Sequence, residues 1–249
     1  QNFQGALIFV SHDRYFVDKI AKKLFVFTGN GHIMESFQPY SEYLQIEKEL
    51  KELDNLESDI EKEIAIHDYL VDNINYVDTG DSSYNAYSAL INGIAVCSGY
   101  TECFKTLLDM LGIENATISG EAGGQQHIWN VVNLDNHWYH VDVTWDDPVG
   151  SSSDYIDHSY FNISADDMAL DHTWDRSRYS AYEKCGAKYS YCRYKKLPLI
   201  SNVNQLNKLI YSTVKNKTAH IEFTTTYNAD LKEAISRTGQ QLSYSYKNI

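Results

Sequence analysis

The stretch that most constrains the fold is residues 127–145, HIWNVVNL-DN-HWYHVDVTW. Two runs rich in β-branched and aromatic residues flank Asp135-Asn136, a dipeptide suited to the left-handed conformations of a two-residue hairpin turn. If Leu134 pairs with His137, the register follows for the whole hairpin: His127 stands opposite Thr144, and Trp129 opposite Asp142. His127 and Asp142 then project from one sheet face as diagonal neighbours. A slip of one residue would send them to opposite faces. A histidine steadied by a carboxylate has the base-plus-orienter arrangement of nucleophilic catalysis. Alone, a strand histidine is more often a structural hydrogen-bonding residue, and an aspartate in Val-Asp-Val more often marks a polar strand face. His140 shares the face of Asp142 and is the rival base.

The nucleophile for such a pair lies in NGIAVCSGYTECFKTLLDMLGI, residues 92–113. Tyr100, Cys103, Phe104, Leu107, Leu108 and Leu111 carry the spacing of one helix face, which predicts a helix over 98–111 stopped by Gly112. Cys97 falls where that helix begins. Unpaired amides and the helix dipole stabilise a thiolate there, and the same amides can hold an oxyanion. Ser98 and Gly99 would let a substrate approach the backbone. A free cysteine is usually a packing residue, which is how Cys103, on the apolar stripe, is read; the joint occurrence of cysteine, histidine and aspartate raises Cys97 above that. The four cysteines show no metal-type spacing, and Cys185 and Cys192 would bridge only in an oxidising compartment. His158, Asp171 and His172 match no ligand pattern and are read as polar loop structure. The chemistry requires no metal and no organic cofactor.

Charge is unevenly spread over the 249 residues, whose net charge is −13. Residues 64–183 hold 19 acids against Lys105, Arg176 and Arg178, whereas residues 184–249 hold 11 bases against 3 acids. So acidic a middle would repel phosphate backbones, which speaks against nucleic acid, and would attract lysine-rich partners. No apolar run is long enough to cross a bilayer. No signal peptide is visible, which makes the cytoplasm the default compartment, although residue 1 is Gln rather than Met. Residues 5–11 read as a buried strand, followed by a helix and two strands around Gly-Asn-Gly. From Tyr40 to Ile64 the spacing predicts one long amphipathic linker helix. It continues through 64–76 with Ile66, Leu70 and Ile74 on one face. SGEAGGQQ, residues 119–126, reads as a glycine-rich loop, and 146–196 as loop-rich. The last fifty residues alternate strand and helix signals.

The motifs VCSGYTECFKTLLDMLGI, GQQHIWNVV and WYHVDVTWDDP, with DYIDHSYFNIS and DHTW after them, resemble the bacterial transglutaminase-like superfamily over roughly residues 60–185. The resemblance implies a papain-like α+β core, with Cys97 as nucleophile, His127 as general base and acid, and Asp142 as orienting group. It decides for His127 over His140, and it implies a protein or peptide substrate. Ser98 stands where animal transglutaminases commonly carry tryptophan, which favours the bacterial branch, whose relatives include hydrolases and peptidases. Residues 1 to about 60 resemble the last part of an ABC-F ATPase nucleotide-binding domain, with His12 of SHDR at the switch position. The chain has no GxxxxGK[ST] loop and no acidic Walker B strand, so ATP binding is not expected and His12 is expected to be idle. The expected organisation is an ABC-F-like β-α-β-β tail with linker helix over 1–63, a transglutaminase-like catalytic domain over 64–196, and a small basic α/β appendage over 197–249. The expected function is cysteine-dependent acyl transfer or hydrolysis on protein or peptide amides through a thioester at Cys97. The alternative is a non-catalytic papain-like interaction module.

Overall fold

The computed structural model describes residues 8–11, 13–29, 32–36, 39–147, 156–216, 220–226 and 243–248. In chain order the helices are α1 (Arg14–Ile20), α2 (Tyr40–Leu50), α3 (Asp59–Asn73), α4 (Cys97–Met110), α5 (Ala165–Met168), α6 (Tyr191–Tyr194) and α7 (Val203–Lys215). The strands are β1 (Leu24–Gly29), β2 (His32–Ser36), β3 (Asn75–Tyr76), β4 (Ile94–Ala95), β5 (Asn115–Ala122), β6 (Gln125–Leu134), β7 (His137–Val141), β8 (His172–Trp174), β9 (Leu199–Ile200), β10 (His220–Thr225) and β11 (Ser243–Asn248). The fold is α+β. Its centre is a four-stranded antiparallel sheet in the order β7-β6-β5-β8.

Strand periodicity sorts the side chains of β6 between two cores. Val132 and Leu134 pack with Tyr139 and Val141 of β7, Phe104 and Leu108 of α4, and Ile66 and Leu70 of α3. The alternate residues Trp129 and Val131 pack on the other side with Ile118, Ile163 and Met168. A third cluster, Ile200, Leu206, Ile210, Ile221 and Phe223, belongs to the C-terminal elements, where α7 crosses between parallel strands β9 and β10. β11 extends that sheet in parallel on the far side of β10.

The hairpin has the predicted register: Leu134 pairs with His137, and the ladder runs from there to Asn130 and Val141. Asp135 and Asn136 both adopt positive φ, 53° and 59°, as a type I′ turn requires. The pairing stops short of the expected His127–Thr144 and Trp129–Asp142 pairs, because the chain leaves the strand after Val141 and turns over residues 142–146.

Several expectations are corrected. The helix predicted from Tyr40 to Ile64 is broken: α2 gives way to a 3-10 turn over Lys51–Asn55, Leu56 is extended, and α3 starts afresh at Asp59. The break is local chemistry, since the Ser58 N–H and Oγ both donate to Glu61, at 3.2 and 2.8 Å, in a capping box. Residues 119–126 are not a loop but two paired strands joined by Gly123-Gly124, both at positive φ. The loop-rich region also supplies a strand, β8, which pairs with β5 where Gly120 permits contact: a Cβ there would lie 2.1 Å from the Thr173 carbonyl oxygen. Residues 8–11 form no strand, and Ile8 and Val10 are exposed. His12, residues 1–7 and the helical run at 229–238 lie outside the described residues. Among the described residues no helix is long and apolar enough to cross a membrane.

Glu63 of α3 is fully buried and accepts a 2.9 Å hydrogen bond from Asn162 Nδ2. Glu63 Oε1 and Asn162 Oδ1 have no partner among the described residues; a proton on Oε1 shared with Oδ1 would close an acid–amide pair. Burial pushes the Glu63 carboxyl up to about 8, against the opposing pull of Asn162 and His67. Folded, Glu63 thus keeps its proton to about 8, whereas unfolded it loses it near 4.5, so its contribution to stability is full below 4.5 and lost as pH rises to about 8. Glu63→Gln is expected to remove that decline. Its Tm should match the parent's in acid and exceed it at alkaline pH by at least about 2–4 °C, the shift per kcal/mol for a chain of this size, in thermal melts across pH.

Candidate active site

Cys97 is the first residue of α4, preceded by Val96 as N-cap. Valine offers no side-chain acceptor, so the N-cap residue itself does not cap the first-turn amides of α4. The Val96 N–H is taken by the Ser83 carbonyl at 3.0 Å, which ties the start of the helix to the preceding turn. Tyr76 pairs with Ala95 across the short β3–β4 ladder, which brings its hydroxyl against the Cys97 backbone. Gly99 does not serve substrate approach as expected. It is buried, and a Cβ would lie 2.5 Å from the Ser83 carbonyl oxygen, so packing demands the glycine.

His127, at the start of β6, donates from Nε2 to Asp142 Oδ2 at 2.6 Å. That leaves Nδ1 unpaired with Asp142, and the Cys97 side chain lies near enough to the same ring to raise it. Burial pulls the imidazole down, but the hydrogen bonds to Asp142 and Cys97 outweigh it and raise the group to about 9. Cys97, His127 and Asp142 therefore meet in the order thiol, ring, carboxylate.

Asp142 is buried, and both its oxygens are used. Oδ1 accepts the backbone N–H groups of Thr144 and Trp145 at 3.1 and 3.2 Å. Oδ2 accepts His127 and also His172, whose Nε2 lies 3.1 Å away. Burial alone would raise this carboxyl, but the two histidines hold it below the usual carboxylate range. Sequence reasoning missed His172, leaving it in a polar loop. It is a fully buried β8 residue braced on its other side by Asp171, 2.6 Å from Nδ1. Trp145 and Trp129 lie against both imidazoles, with ring centroids 4.6–6.2 Å apart, and Tyr160 lies against His172, screening the carboxylate from water.

The other candidates fall elsewhere. His140 is fully buried, its Nδ1 accepts the Trp129 indole N–H at 3.0 Å, and burial pushes it down to about 3, so it is no base for Cys97. His158 does not join His172 and Asp171 but contacts Asp68. Cys103 is core, and none of the four cysteines is in a disulfide. Two groups bring three ligand-type atoms within 4.8 Å of one another: His127, Asp142 and His172, and His67, Asp68 and His158.

A thiol at a helix start, a strand imidazole and a buried carboxylate thus lie in one place. Residues 48–143, a span containing Cys97, His127 and Asp142, match the model of the transglutaminase-like superfamily. Among solved structures it is similar to a presumptive cysteine protease from Cytophaga hutchinsonii (20% identity, TM-score 0.38, covering 41% of this chain and 37% of that one). It is also similar to a TGase (12% identity, TM-score 0.30, covering 79% of this chain and 57% of that one). A 49-residue stretch, 20% of the chain, is 47% identical to the uncharacterized ABC transporter ATP-binding protein YfmR of Bacillus subtilis (strain 168), consistent with an ABC-type segment. The chain spans 8% of that protein's length.

His172→Asn is expected to remove one of the four hydrogen bonds to the buried carboxylate. A bond to a charged group contributes about 1.5–3 kcal/mol. On the triad reading, kcat should fall roughly 10- to 100-fold with KM little changed, and the acid limb of the pH profile should move upward as Asp142 becomes easier to protonate. Steady-state kinetics across pH check this.

Proposed function

We propose that the chain is a cysteine-dependent acyl-transfer enzyme or hydrolase acting on protein or peptide amides. The observation that carries this reading is the Cys97–His127–Asp142 relay at the start of α4, with Asp142 Oδ2 2.6 Å from His127 Nε2. His127 Nδ1 takes the Cys97 proton, and the thiolate attacks the carbonyl carbon of a glutamine side-chain amide or a peptide bond. The C–S bond forms as the carbonyl π electrons move to oxygen. First-turn amides of α4 beyond Cys97, whose own N–H faces the Tyr76 hydroxyl, hold the developing oxyanion. Collapse breaks the C–N bond, and His127 returns the proton to the departing ammonia or amine, leaving a thioester on Cys97. Water or a lysine amine then attacks the thioester, with His127 again as base. Asp142 keeps the ring oriented and stabilises its cationic form. The acidity of residues 64–183, with 19 acids against three bases, favours lysine-rich partners. No step uses a nucleotide, and His12 has no part in the mechanism.

Cys97→Ala should abolish the iodoacetamide-sensitive thioester formed with a glutamine-containing peptide, and His127→Ala should lower turnover by about 10²–10⁴. Undiminished turnover in Cys97→Ala would remove Cys97 from the chemistry. Ordinary thiol reactivity at Cys97 in a folded parent chain would favour an interaction module. The cationic His127 that accompanies the thiolate is lost as pH rises through about 9, so kcat/KM should fall on an alkaline limb near that value.

A further inference from the structure

Apart from the triad, the domain encloses a second histidine–carboxylate cluster that the proposed chemistry does not use. His67 of α3 is fully buried, and its Nε2 faces Asp146 Oδ2 at 3.0 Å, also fully buried. Asp146 Oδ1 accepts the Tyr160 N–H at 2.8 Å, so this carboxylate is held rigidly. On the other edge of the ring, His67 Nδ1 lies 3.0 Å from Asp68 Oδ1, and the same oxygen lies 2.7 Å from His158 Nε2. Tyr191 stacks on the His158 ring at 3.7 Å and 8°, fixing its plane. One ligand-type atom from each of His67, Asp68 and His158 therefore lies within 4.8 Å of the others, with the two rings stacked at 5.0 Å and 30°. The chain opens the cluster toward solvent through Asp68, whose side chain is 34% exposed.

Among the described residues Asp68 and Asp146 form ion pairs only with histidines. Lys105 is committed to Asp109, and Arg176 to Asp166 and Glu183. Glu222 of β10 adds a further negative charge beside His158 and Tyr191. Two imidazoles and a carboxylate that share one solvent-reached edge are a donor set that a divalent ion can enter.

We propose that His67 Nδ1, Asp68 Oδ1 and His158 Nε2 form a site for a divalent transition-metal ion of the zinc class, with Asp146 as the carboxylate that orients His67. Two imidazoles, one carboxylate and one open position make a donor set that suits tetrahedral Zn²⁺. The Asp146–His67 pair is the carboxylate–histidine support that metal-bound histidines commonly carry. Ion entry displaces the proton from His67 Nδ1 to solvent. Ligands about 2.0–2.1 Å from the ion stand farther apart than hydrogen-bonded atoms do, so Asp68, the exposed member, retracts by a few tenths of an ångström. The bound ion ties α3 to the segment around His158 and, through Asp146, to the turn that carries Asp142. The site is independent of the proposed acyl transfer, and its failure would leave that reading intact.

The test uses the full chain with Cys97→Ala, which removes the thiol as a competing ligand. After loading with Zn²⁺ and dialysis, elemental analysis should find one zinc per chain, and Asp68→Asn and His158→Ala should each weaken binding at least about tenfold. Co²⁺ bound to the parent chain with Cys97 intact should show tetrahedral d–d absorption without a thiolate charge-transfer band, a readout that needs no cluster variant to fold. Zinc below about one tenth per chain would overturn the proposal, as would retention of zinc by both cluster variants. Loss of zinc in His172→Asn with retention in Asp68→Asn would also overturn it, by moving the ion to the triad.

Discussion

The Asp142 carboxylate is the constraint on which the site depends. A carboxylate taken out of water must have its oxygens satisfied or take up a proton. Here the two oxygens accept four donors, two backbone amides and two imidazoles. The amides belong to the turn that Asp142 itself starts, so the side chain organises the backbone that holds it. The imidazoles come from β6 and β8, which lie on either side of β5 in the sheet. Hydrogen bonding to the charged form outweighs burial and keeps Asp142 an acceptor. An acceptor in that position fixes which nitrogen of His127 is left for Cys97.

The same turn joins the rest of the domain. Asp142 gathers the sheet, Asp146 grips α3 through His67, and Asp147 accepts the Tyr100 hydroxyl of α4. The segment around Tyr160 closes over it, donating to Asp146 and accepting the Asp142 N–H at 3.1 Å. Three acids within six residues thus dock onto three different elements. This is an economical way to place a helix-borne thiol against a strand-borne ring, because one rigid turn sets the position of both supports. It also explains how a domain so acidic remains packed: much of its negative charge near the site is spent on internal hydrogen bonds rather than left facing other acids.

Some of what sequence reasoning missed was local and therefore legible. Ser58 and Glu61 stand at the spacing of a capping box, which marks a helix start inside what the apolar spacing alone presents as one helix. Gly123-Gly124 between two short runs is as strong a hairpin signal as Asp135-Asn136, but the flanking Ser-Gly-Glu-Ala lacks the β-branched residues that announce a strand. The pairing of β5 with both β6 and β8 supplies from outside the stability which that composition lacks. Gly99 was read as an opening for substrate because a glycine's reason cannot be seen without its neighbour, here the Ser83 carbonyl.

By itself the sequence determined the elements whose signals are periodic or confined to a turn. The apolar stripe of α4 and its Gly112 stop, and the register of the β6–β7 hairpin from its Asp135-Asn136 turn, all follow from short distances along the chain. Only the tertiary structure decided that Cys97 meets the His127–Asp142 pair, that His172 closes on the same oxygen as His127, that His140 turns to Trp129 instead, and that His158 joins His67. Each of these is a contact between segments 11 to 91 residues apart, as in Trp129–His140 and His67–His158. The hairpin register does not say which side-chain atoms meet; the packing of β8 and of the 156–163 segment against the sheet sets them.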